Sequence, residues 1–189
     1  MPIFACRSFV YILKQKGKIN LPYPYRRRHL AMLANIQSLV QATDGRYASD
    51  MELQFFQHYL STVSTRLRAY QKIQGAEPQI IAQVLTRLTA QKPDVFQIGG
   101  QDLTAKWQRD TVRVLRYSAT ALLLDDADLF KEKLLMWFQT IMQAYGAQES
   151  CQLTYTAMQE VVGQHLNPEE LKIFLPILEL SRVTLGHTV

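Results

Sequence analysis

The sequence predicts an all-α domain, and three observations carry that expectation. From Met32 onward apolar residues recur every three or four positions, the period of a helix with one buried face. Ser49 with Glu52, and Asn167-Pro168-Glu169-Glu170, are helix-start signals, because their side chains can satisfy the unpaired N–H groups of a first turn. No alternating strand pattern and no Asn-Gly hairpin signal interrupts the helical period. Seven or eight helices are expected.

Each element follows in order. Met32 to Ala42 puts Leu33, Ile36, Leu39 and Val40 on one stripe, and Thr43-Asp44-Gly45-Arg46 ends it. The next helix opens at Ser49, carries Leu53, Phe56, Leu60, Val63, Leu67 and Tyr70, and is expected to end near Gly75. Glu77-Pro78 is expected to start another, since proline suits a first turn, and Lys92-Pro93 closes it. Asp94 to Gly100 reads as a loop, and Gln101 to Leu124 as the long central helix. Acids at Asp125, Asp126 and Asp128 suit the positive end of a helix dipole, so a helix starts there and stops at Gly146. Ser150 to His165 is the next, and the helix capped at Asn167 runs to about Leu185, with Pro176 as a candidate kink.

Residues 1–31 differ from the rest and are read as a basic N-terminal extension; residues 32–189 form the domain. All seven bases before residue 44 (Arg7, Lys14, Lys16, Lys18, Arg26, Arg27, Arg28) lie in this extension, and no acid precedes Asp44. A transit peptide, a basic tail for an anionic partner or lipid, and a translation start at Met32 all remain open. The other fourteen bases face sixteen acids, so the net +5 of the chain belongs to the extension. A near-neutral body argues against nucleic-acid binding. Cys6 and Cys151 are too few for a disulfide framework or metal cluster and fit a reducing compartment. No apolar run reaches the roughly 18–20 residues that span a bilayer, so a soluble protein is expected.

Several stretches together carry a family resemblance. Asp44–Gln54 (DGRYASDMELQ), Gly99–Tyr117 (GGQDLTAKWQRDTVRVLRY) and Ile141–Ala147 (IMQAYGA) are similar to the phycobiliproteins, the globin-like light-harvesting subunits of cyanobacterial antennae. The likeness covers roughly residues 32–185 and implies a globin-like fold preceded by a helical hairpin. In that family a Gly-Gly loop leads into a helix reading C-x-R-D and, later, L-R-Y. Its Cys bears a linear tetrapyrrole, held by the neighbouring Arg and Asp. Here Gly99, Gly100, Arg109, Asp110, Leu115, Arg116 and Tyr117 match, but Trp107 stands at the Cys position.

A thioether needs a thiol, and no Cys lies between Cys6 and Cys151, so no covalent pigment is expected at Trp107. Cys151, a lone Cys on a helix, reads as a small, inert apolar residue. A noncovalent bilin held by Arg109, Asp110 and Trp107 is the alternative, through guanidinium–propionate and carboxylate–pyrrole contacts. The simpler expectation is an indole that fills the vacated groove, with no cofactor. Lys106, Arg109, Arg113 and Arg116 form a basic ridge, expected to pair with Asp102 and Asp110 or to dock an acidic partner.

The resemblance also implies an assembly surface. In the family an Asp of the hairpin meets an Arg-Tyr pair on the partner's central helix, and Asp44 and Arg116-Tyr117 match it. The expected partners are phycobiliprotein-like subunits or a second copy of the chain, in the cytoplasm or peripherally at the thylakoid surface. Haem is not expected, because none of His29, His58, His165 and His187 lies on the central helices. No catalytic motif stands out, so no enzyme is expected. The reading is an assembly, structural or regulatory component of light harvesting; a stress or signalling globin-like domain is the rival from another class.

Overall fold

The computed structural model describes residues 32–187; the N-terminal extension, with Cys6 and His29, lies outside the described residues. The elements are α1 (Met32–Ala42), α2 (Asp50–Gln91), β1 (Gln97–Ile98), β2 (Gln101–Asp102), α3 (Thr104–Leu124), α4 (Ala127–Phe130), a π-helical turn (Lys131–Leu135), α5 (Met136–Ala144), α6 (Gln148–Val162) and α7 (Pro168–Gly186). The all-α expectation holds, with α6 against α7 and α2 across α3, α6 and α7 as the main packing.

Capping fixes the ends as expected. Ser49 accepts from the Glu52 N–H while Glu52 reaches back to the Ser49 N–H, and Asn167 and Glu170 do the same at α7. Asp126 accepts from the Leu129 N–H at 2.8 Å and opens α4. Asp125 closes α3 in the left-handed region, at φ 52°. Buried Arg66 of α2 holds that end, donating to the Leu122 carbonyl at 2.7 Å and pairing with Asp125 at 2.8 Å.

Three expectations are corrected. The break at Gly75–Pro78 is absent: α2 is one helix of 42 residues with Pro78 inside it. The lost N–H of Pro78 frees only the carbonyl of Gln74, an exposed residue, while Ala69, Ile73, Ile80, Val84 and Leu88 continue one buried stripe through the site. Core packing therefore outweighs the local penalty. Second, a short antiparallel ladder pairs Gln97 with Asp102 and Ile98 with Gln101. Gly99 and Gly100, at φ 60° and 79°, make the turn that two left-handed residues allow. The central helix thus begins at Thr104, whose N–H donates to Asp102 at 2.9 Å. Third, α6 spans Gln148–Val162 rather than Ser150–His165.

The apolar stripe expected on the opening helices does not meet a core. Between residues 34 and 65 no side chain is fully buried, and the first buried residue of α2 is Arg66. Residues of α1 and the first half of α2 form an arm on which Tyr47 is 98% and Met51 78% exposed, with Val40 and Leu60 also bare. His58, among the apolar residues of this stretch, is exposed.

Candidate functional site: a tryptophan cleft and a hairpin arm

The cleft forms where α3, α5 and α6 meet the loop before the ladder. Phe96, Trp107, Asp110, Tyr145, Cys151 and Thr154 are among the residues that line it. Trp107 is half-buried here. Its Nε1–H donates to Thr154 Oγ1 at 2.9 Å, and its ring lies 4.8 Å from that of Phe96, tilted by 43°. The indole is thus held at its polar edge and packed along its face.

Asp110 lines the cleft beside it, but Arg109 is exposed and is not among the lining residues. The expected Arg109–Asp110–Trp107 group is therefore only two-thirds assembled. Burial raises the Asp110 pKa, against the opposing influence of Lys106, Arg109 and Arg113. Cys151 also lines the cleft, a placement that sequence reasoning missed. The available signal was its spacing: Cys151, Thr154, Tyr155 and Met158 share one buried face of α6. Burial pushes the Cys151 thiol up to about 12 and the Tyr155 hydroxyl well above its usual value. No histidine lines this cleft.

The basic ridge does not persist as one unit. Lys106 Nζ sits 4.0 Å from the Tyr145 ring centre and the Arg113 guanidinium 5.8 Å from that of Trp137. Among the described residues, none of the expected Asp102 or Asp110 pairs with these bases closes within 4 Å. Arg116 turns the other way, towards α2, donating through Nε and Nη2 to the two carboxylate oxygens of Glu77, both at 2.7 Å. Glu77 is the other residue that sequence reasoning missed, having been read only as part of a helix start.

On the arm, Asp44 is exposed in the turn between α1 and α2. Arg46 stiffens that turn by donating to Glu52, at 2.7 and 3.0 Å, and to the Ala42 and Tyr47 carbonyls. The Arg46 guanidinium in turn holds the Glu52 carboxyl well below the usual carboxylate range, helped by Ser49. Tyr117, beside Arg116, is 40% exposed. Within one chain Arg116 meets Glu77, and Asp44 has no ion-pair partner among the described residues.

This combination of helical arm, long central helix and Gly-Gly turn corresponds to a known family. The family model described as phycobilisome protein matches residues 38–185. The chain belongs to the phycobilisome protein family. It is also 24% identical over 134 residues to "Allophycocyanin subunit beta-18" of Aglaothamnion neglectum, covering 68% of this chain and 78% of that protein. The globin-like fold with its helical hairpin, and a role connected with the light-harvesting antenna, follow from that membership. Among the described residues of this phycobilisome-family chain, no helix is long and apolar enough to cross a membrane.

Proposed function

We propose that this chain works by protein–protein contact in the assembly, structure or regulation of the phycobilisome, without a covalent bilin and without catalysis. The carrying observation is the arm. Tyr47, Met51, Val40 and Leu60 all stand exposed on the same arm as Asp44, and several large apolar side chains bare on one segment are ordinarily covered by a partner. The partner is another phycobilisome-family subunit or a second copy, with Asp44 opposite Arg116-Tyr117 across the contact. The complex sits in the cytoplasm or stroma, peripherally at the thylakoid.

The family implies a bilin; what supports a cleft without a thioether is that Trp107 offers no sulfur, its indole donates to Thr154, and the thiol that does line the cleft, Cys151, is kept protonated by burial. The indole seated within the cleft beside Phe96 supports a groove filled by the chain's own side chains. One observation favours a noncovalent pigment as the second reading, namely Asp110 facing the cleft. In that reading Trp107 swings out and Arg109 swings in.

Capture of the tagged full chain from a phycobilisome-producing cell tests the main reading. Recovery of antenna subunits, lost with Asp44→Ala or Met51→Asp, supports it; a chain that never co-purifies with them moves to the stress or signalling class. Co-production with a bilin pathway tests the second, which predicts a long-wavelength band that survives gel filtration.

A further inference from the structure

Arg116 is already engaged within its own chain. Glu77 takes the Nε and Nη2 edge of the guanidinium, at 2.7 Å each, and the two differ in exposure: the Arg116 side chain is 67% and that of Glu77 19% accessible. The carboxylate is tucked between α2 and α3 while the guanidinium faces outward. An arginine has five N–H donors, so three remain free on its outer edge. A second carboxylate can therefore reach Arg116 without displacing Glu77, but it meets a cation that is already neutralised. Two carboxylates on one guanidinium carry a net charge of −1, and removing that from water opposes contact.

The backbone beneath Glu77 is fixed. The residue sits in the interior of α2, one residue before Pro78, and Ile73, Ile80 and Ile81 around it are locked in the core. A partner carboxylate therefore either joins the Glu77–Arg116 pair or has to break its two hydrogen bonds, and both oppose contact.

We infer that Glu77 tunes the strength of the assembly surface: by neutralising Arg116 within the chain it weakens pairing of Arg116 with a carboxylate across the contact, Asp44 of a second copy included. This rests on the assembly reading above and adds to it the residue that limits homotypic pairing.

The test is sedimentation of the full chain over a concentration series at about 0.1 M salt, where charges within about 10 Å still interact. Glu77→Gln keeps the size of the side chain and an oxygen for Arg116 but removes the charge. It is expected to self-associate about three- to tenfold more tightly than the native chain. Adding Asp44→Asn removes the gain, as a coupled pair requires. Glu77→Ala gives the same direction, and far-UV circular dichroism of each variant verifies the fold. Self-association that is unchanged or weaker in Glu77→Gln, a gain that survives Asp44→Asn, or a chain that stays monomeric in every variant overturns the inference. None of these results alters the capture experiment, which judges the assembly reading separately.

Discussion

Trp107 and Thr154 are 47 positions apart in sequence and 2.9 Å apart in space, joined by the indole N–H to the threonine hydroxyl. That bond ties α3 to α6 across the cleft and gives the indole one fixed seat. Thr154 is itself buried, so water cannot replace it easily. Thr154→Val is expected to cost about 1–2 kcal/mol, because it leaves an indole N–H in a poorly hydrated place. Trp107→Ala is expected to cost about 3 kcal/mol, at the low end for Trp because the side chain is half-buried. Urea unfolding followed by circular dichroism measures both.

Arg66 provides a second stability prediction. It satisfies the Leu122 carbonyl at the end of α3 and pairs with Asp125, with almost no solvent access. Arg66→Ala leaves both without their partner and is expected to cost about 3 kcal/mol or more. Amide exchange in the last turn of α3 should rise with it, beyond the change expected from global stability alone.

The Cys151 thiol should be silent towards alkylating reagents at pH 8 in the folded chain and react once urea unfolds it, read by mass spectrometry in a Cys6→Ser background. Burial lifts its pKa from an ordinary 9 to about 12. A raised folded-state pKa means that the native state holds the proton longer than the unfolded chain. Its contribution is then fully present below pH 9 and lost as pH rises from 9 to about 12. Cys151→Ala should flatten that alkaline loss.

The Glu179 carboxyl runs the other way. Arg182 first, and then Gln159, depress it to about 2. Its contribution is present above the ordinary carboxylate pKa near 4.5 and disappears as pH falls towards 2. Because this pair is partly solvated, the expected effect of Glu179→Gln at neutral pH is small, below about 1 kcal/mol. An acid titration in which the native chain and the variant keep a constant difference from pH 6 to pH 2 contradicts it.

Met51→Asp separates folding from association. Met51 is 78% exposed, so the substitution should change unfolding free energy by no more than about 0.5 kcal/mol. The same change should abolish recovery of antenna partners in the capture experiment.

What was legible in the sequence was what local chemistry decides. The capping boxes at Ser49 and Asn167, and the start at Asp126, are settled within three residues, and all stand as expected. Pro78 misled because its rule is local while the stripe from Ala69 to Leu88 is a property of the packed core. The Gly99-Gly100 ladder was hidden by its length, two residues a side. Cys151 beside the cleft and Glu77 on Arg116 depend on contacts between distant segments, the latter 39 positions apart, and no spacing rule reaches that far.

The unbroken course of α2 through Pro78 has a mechanical consequence. At 1.5 Å per residue its 42 residues span roughly 60 Å, starting in the exposed arm and packing along its second half against α6 and the rest of the core. No joint separates the part that reaches outward from the part that anchors. In the proposed assembly a neighbour seated at Tyr47 and Met51 is aimed by the core, through the course of one unbroken helix.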